Sequence, residues 1–182
     1  MLKRVFGLII GFSLLTGCAN VPLTTLFKFA HADKEILEQA NAEQLRAKVT
    51  FKGGLKLESD IVLLTLSHRL KGQENKKQQQ FPMQLISHKH KDPKQGWIIP
   101  SPEKNIYTFK LNPEGQKDFL KAKQHMLNDD LDKVSFNVDV NLSKGHIRKR
   151  DDENYRVSID LKLNQNEDYF TLLRNADVIV EN

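Results

Sequence analysis

The chain has 182 residues, 39% of them hydrophobic and 28% charged, with a formal net charge of +5. Its single cysteine, Cys18, leaves no partner for an intrachain disulfide and no thiolate cluster for a metal, so stability must come from packing. There is no Gly-x-Ser-x-Gly, no His-Glu-x-x-His and no phosphate-cradling glycine loop, and the modest cationic surplus does not by itself argue for nucleic acid.

The first element is a short apolar run. Lys3 and Arg4 form a basic start, and Val5 to Leu15 is an uncharged core too short to cross a bilayer as a permanent helix. It ends in Leu15-Thr16-Gly17-Cys18, where the small Thr16 and Gly17 let an extended backbone enter a peptidase groove. This stretch resembles the lipobox of bacterial membrane lipoproteins. The resemblance implies a signal peptide over residues 1–17, cleavage just before Cys18, a diacylglycerol thioether on its sulfur and an acyl chain such as palmitate on the new amino group. Several chains make such an anchor stable, because each buried methylene adds about 0.8 kcal/mol and one chain alone holds only marginally. Ala19, in place of an Asp after the cysteine, implies export to the outer membrane, facing the periplasm. Cleavage would leave 165 residues and remove Lys3 and Arg4, which lowers the charge from +5 to +3. That length suits one domain with a real core. Residues 18–32 read as a lipidated tether, in which Pro22 discourages regular structure, and residues 33–182 as a single domain.

Within the domain, Asp33 can cap a helical turn through Ile36, Leu37 and Ala40, and this segment is expected against a sheet edge. Leu45, Ala47, Val49 and Phe51 then alternate with polar residues, as in a half-buried strand. Ile61 to Leu70 reads as a central strand, and Lys71 to Gln80 as a polar loop. Phe81 to His88 resumes a strand pattern with Pro82 placing its start at an edge, and His88 to Gln95 reads as a charged loop. Ile106 to Leu111 alternates again. Asn112 as N-cap, Pro113 at the first helical position and Glu114 near the positive end of the dipole then open the clearest helix, whose apolar stripe runs through Phe119, Leu120, Lys123, Met126 and Leu127. Val134 to Leu142 and Tyr155 to Leu163 alternate most regularly and are expected to pair as one long hairpin. Glu167 to Arg174 reads as a helical turn and Ala176 to Glu181 as a last strand. About seven strands with one inserted α-helix imply a mainly β chain, an antiparallel β-sandwich.

Few side chains group into a site. His88 and His90 would point the same way on a strand and could share a divalent ion, but Lys89, Lys91 and Lys94 would repel it, so a solvated loop is expected and no metal site is assigned. His68 falls on an apolar strand face, where a hydrogen-bonded strand-end histidine is expected rather than a ligand. Asp129, Asp130 and Asp132 lack the glycine and distal Glu of a calcium loop and read as the polar link after the helix. Lys144, Arg148, Lys149 and Arg150, at the expected hairpin tip, are candidate contacts for an anion or a partner, although Asp151, Asp152 and Glu153 follow at once. Trp97, Ile98 and Ile99, hemmed by Pro100 and Pro102, are a candidate recognition patch or a piece of core under a loop.

An acylated cysteine, a short tether and a β-sandwich together resemble, in architecture, the small lipoproteins of type VI secretion machines. The expectation is a non-catalytic periplasmic lipoprotein with no cofactor, bound to the membrane through Cys18. It would act as adaptor or assembly factor for another envelope protein, with no nucleic-acid partner. The alternative is a carrier for a small apolar or anionic ligand.

Overall fold

The structure is a computed structural model that describes residues 34–53, 56–57, 61–95, 101–141 and 155–177. Among the described residues two helices, α1 (Lys34–Gln39) and α2 (Pro113–Asn128), accompany seven strands: β1 (Arg46–Lys52), β2 (Ile61–Leu70), β3 (Lys77–Lys91), β4 (Lys104–Leu111), β5 (Leu131–Asn141), β6 (Arg156–Lys162) and β7 (Phe170–Asp177). All pair antiparallel in a single sheet of order β5-β2-β3-β4-β1-β6-β7. The sheet curls until it is nearly closed, a barrel-like form that replaces the expected two-sheet sandwich.

The reason lies in β3. At 15 residues it is longer than any strand it joins, and it serves two neighbours in turn. Its first half, from Lys77, pairs with β2, and its second half, to Lys91, pairs with β4; Met83 stands opposite both Val62 and Leu111. A β-bulge between Leu85 and Ser87 follows that junction at once. A strand that changes neighbour beside a bulge turns a corner in a sheet, which joins the two halves into one curled surface.

The strand faces follow the alternation in sequence. Ala47, Val49 and Phe51 on β1, Tyr107, Phe109 and Leu111 on β4, and Ile159 and Leu161 on β6 are buried inward, and the polar residues between them face out. Phe51 meets Tyr107 edge to face at 6.1 Å. The hairpin expected between Val134–Leu142 and Tyr155–Leu163 does not form. β5 pairs with β2 at one margin of the sheet, and β6 lies between β1 and β7 near the other. Three local expectations also change. Lys77–Gln80 and His88–Lys91 are strand, not loop, because each is hydrogen-bonded to a neighbour, β2 or β4. The helical turn expected over Glu167–Arg174 is instead a turn leading into β7, whose residues pair with β6.

Helix α2 closes the concave face of β3 and β4. Asn112 Oδ1 accepts from Gly115 N at 2.7 Å, the N-cap anticipated from sequence, and Gly115, Phe119, Ala122 and Met126 form the buried stripe. Leu120, expected in that stripe, is half exposed. Phe119 packs edge to face on Phe81 at 5.4 Å. The helix start sits on Pro82, whose carbonyl accepts from Asn112 N at 3.1 Å. Although β3 as a whole lies between β2 and β4, Pro82 therefore has a strand partner, Leu63, on its β2 side only, and its other side is a local edge of the kind expected for proline. Its missing N–H costs no ladder bond, because β4 has already ended at Leu111 and the helix takes its place.

Helix α1 buries Ile36 and Leu37 against β5 and α2, so it does lie beside an edge strand. Lys123, which falls within the stripe read from sequence, donates from Nζ to Glu38 O and Ala40 O, both at 2.7 Å. It thus caps the carbonyl end of α1 and locks the two helices together.

Candidate functional site

Every residue singled out from sequence as lipidated or as a contact lies outside the described residues: Cys18, the basic Lys144, Arg148, Lys149 and Arg150, and the apolar Trp97, Ile98 and Ile99. Their flanks are described. Lys94 and Ser101 exchange both backbone hydrogen bonds at 3.0 Å, an antiparallel bridge just beyond the paired ends of β3 and β4. The basic block connects β5 to β6, which are not partners.

The β3–β4 hairpin is where the structure gathers polar chemistry. His88 and His90 share a face, as expected of alternate strand residues, and that face meets β4 at Tyr107 and Asn105. The His88 ring lies flat on Tyr107, with centroids 4.3 Å apart and planes within 1°. His88 Nε2 and His90 Nδ1 each stand 3.1 Å from Asn105 Oδ1, a carbonyl oxygen that accepts from both rings. Asn105 is fully buried. On its other side, His90 Nε2 is 3.1 Å from Asp92 Oδ1, and Glu103 Oε1 is 3.7 Å from Nδ1. Oxygens therefore flank both nitrogens of one ring. The protonated form is favoured: the bond to Asn105, then that to Asp92, raises the His90 pKa above its ordinary value. Among the described residues no group of three or more His, Cys, Asp or Glu side chains is placed to hold a metal ion. The amide that joins the imidazoles could have been found in sequence, because Asn105 occupies an inward position in the run Asn105, Tyr107, Phe109, Leu111.

The same arm carries exposed apolar surface. From Gln84 to Lys91, β3 is paired on its β4 side, and among the described residues no strand pairs with its other edge. Leu85 is 51% exposed and Ile86, the bulge residue, 44%.

His68 sits at the inward end of β2, opposite Lys77 and Val134, with 6% of its surface exposed. The hydrogen bond expected for it is missing at Nδ1, which is buried without a partner. Burial first, then the nearby Lys77, lowers its pKa, so the ring is neutral. A polar pocket of about 170 Å³ lies beside it, lined by Ser67, Arg69, Lys76, Lys133 and Ser135. Arg69 there is held by Asp132 at 2.5 Å, and Lys71 by Asp130 at 2.7 Å, so the acidic link after α2 ties β5 to the end of β2. Among the described residues no helix is long and apolar enough to cross a membrane. No known family model, curated protein or solved structure matches the chain.

Proposed function

We propose that this chain is a lipid-anchored periplasmic lipoprotein, acylated at Cys18, that serves as a non-catalytic adaptor or assembly factor for another envelope protein. The observation that carries the reading is the open β3 arm: an unpaired edge from Gln84 to Lys91, among the described residues, with Leu85 and Ile86 exposed beside it. An open edge offers N–H and C=O groups in register for an added strand, and flanking apolar side chains select what is added. Lys89 and Lys91 on that edge oppose pairing with a second copy and favour an acidic strand. The anchor would confine the domain near the bilayer and raise its effective concentration for a partner held there. The carrier reading would need an internal cavity of some 300–1,000 Å³ lined for its ligand.

The test is photo-crosslinking in intact cells from Leu85 and from Ile86, with Leu120 on α2 as the control position. The adaptor reading expects one discrete protein adduct from the arm and none from Leu120. Adducts to lipid or small molecules alone, or equal labelling from all three positions, would refute it.

A further inference from the structure

Reading the registers across strands exposes a pattern that no single strand shows. Lys91 stands opposite Lys104, Lys104 opposite Lys52, and Lys52 opposite Arg156. Four cations thus lie side by side across β3, β4, β1 and β6, a row spanning about 14 Å at the usual strand spacing of roughly 4.8 Å. A second row repeats the device at the other end of the same strands, where Lys110, Arg46 and Lys162 face one another in turn. The rows lie about 20 Å apart, six residues along β1 at roughly 3.3 Å each. All seven side chains point outward, because their neighbours Phe51, Tyr107 and Leu161 point into the core.

Like charges directly opposite in a sheet are destabilising, so a fold keeps such rows at a cost. Little inside the protein offsets it. Among the described residues, Lys91, Lys104 and Lys110 make no ion pair; Lys52 turns to the Asn175 amide at 2.6 Å, Arg46 donates to Glu43 O at 2.6 Å and Leu45 O at 2.8 Å, Lys162 lies 5.9 Å from the Tyr169 ring, and Arg156 has the exposed Asp177 at 3.5 Å. The one carboxylate within this face, Asp160, is taken by Lys48 at 3.2 Å. Asp129, Asp130, Asp132 and Asp139 lie on or beside β5, at the far margin of the sheet. The outward face of these four strands therefore carries a cationic surplus, with Asp160 within it, Asp177 beside it, and Asp92 and Glu103 at its end turned to His90.

We propose that this outward face of β3, β4, β1 and β6 is a docking surface for anionic phospholipid headgroups. Between the rows the outward positions hold Lys48, Thr50, Ile106, Thr108, Ser158 and Asp160, and the half-exposed Tyr169 ring lies beside them, its centroid 4.2 Å from Lys48 Nζ and 5.9 Å from Lys162 Nζ. With Lys48 already seated over it, Tyr169 offers bases no open stacking platform. Spaced lysines of this kind act as point charges, which suits a mobile field of phosphates. The choice of a lipid surface over another polyanion rests on the anchored reading above; the face would turn a domain tethered by one end so that it lies on its membrane.

The experiment uses the mature chain, residues 18–182, with Cys18→Ser, which carries neither the apolar signal nor acyl chains, and vesicles of phosphatidylcholine with or without one-third phosphatidylglycerol. Co-sedimentation at low salt should favour the anionic vesicles. Lys91→Gln, Lys104→Gln and Arg156→Gln together should weaken that binding about 100-fold, near fivefold per charge, and leave binding to phosphatidylcholine unchanged. Thermal unfolding of the triple variant should be no lower than the parent's, because opposed like charges have been removed. Lysine acetylation of the acylated protein on the same vesicles gives a second reading: Lys91 and Lys104 protected by the anionic lipid, Lys117 and Lys121 of α2 not. Equal binding of parent and triple variant, equal protection of all four lysines, or charge-dependent binding to a DNA oligonucleotide with none to vesicles would overturn the proposal. An unacylated Cys18 in the native protein would overturn the anchor and leave the vesicle preference measurable, so the two failures are distinguishable.

Discussion

Gly115 makes a sharp test of how α2 is seated on the sheet. It is the third residue of the helix, where an exposed Gly→Ala change would normally stabilise by about 1 kcal/mol through helix propensity. Here an added Cβ would stand 2.5 Å from Pro82 O, 3.3 Å from Pro82 N and 3.3 Å from Asn112 Oδ1. The first two are backbone atoms of a strand fixed by β2, so the helix must move instead. Overpacking of this kind costs about 1–3 kcal/mol. The movement would also strain the Gly115 N to Asn112 Oδ1 cap, and loss of a cap costs roughly another 1 kcal/mol. Set against the propensity gain, Gly115→Ala should destabilise by about 2 kcal/mol, a fall in Tm of roughly 4–8 °C for a chain of this length. Circular dichroism melts of the two proteins, side by side, measure it. A variant as stable as the parent, or more so, would show that α2 does not press on Pro82 and that the account of the β3 junction is wrong.

Phe119→Ala removes a fully buried ring packed on Phe81 and should cost about 3–5 kcal/mol, read from the urea midpoint; a loss under 1 kcal/mol would place α2 off the core. His68 is buried neutral with a pKa below its ordinary 6.5, whereas the unfolded chain protonates near that value. The unfolded state therefore binds more protons as pH falls below about 6.5, and native stability should fall there. His68→Leu removes both that liability and the unpartnered Nδ1, so its Tm advantage over the parent should widen below pH 6.5; parallel pH profiles would refute the assignment. Asn105→Ala strips the acceptor shared by two imidazoles and should cost about 1–3 kcal/mol. In the same variant the His90 titration followed by NMR should move down toward the ordinary value, and an unmoved midpoint would show that Asn105 is not what holds the proton.

The elements were legible wherever one face is dry. Alternation located β1, β4, β5 and β6, and Asn112-Pro113-Glu114 located the start of α2, because each signal is local. Pairing was not legible. The two most regular strands, β5 and β6, are neighbours in sequence and were expected to join, yet alternation states only that a strand has an inward face, not which strand lies beside it. The start of β3 was missed because Lys77-Gln78-Gln79-Gln80 carries no apolar signal; its strand form comes from pairing with the buried β2. Tyr169, Phe170, Leu172 and Leu173 have helical spacing, and contact with β6 overrides it. The basic face escaped for a related reason. Lys52, Lys91, Lys104 and Arg156 are scattered over more than a hundred positions, and only the register of four strands sets them in a row.

The measurement that bears most directly on the central claim is the intact mass of the protein extracted from membranes, with fragmentation to locate its first residue. The account predicts a chain that begins at Cys18 and carries acyl chains on both its sulfur and its amino group. A chain that begins elsewhere, or a Cys18 with a free thiol, would contradict it.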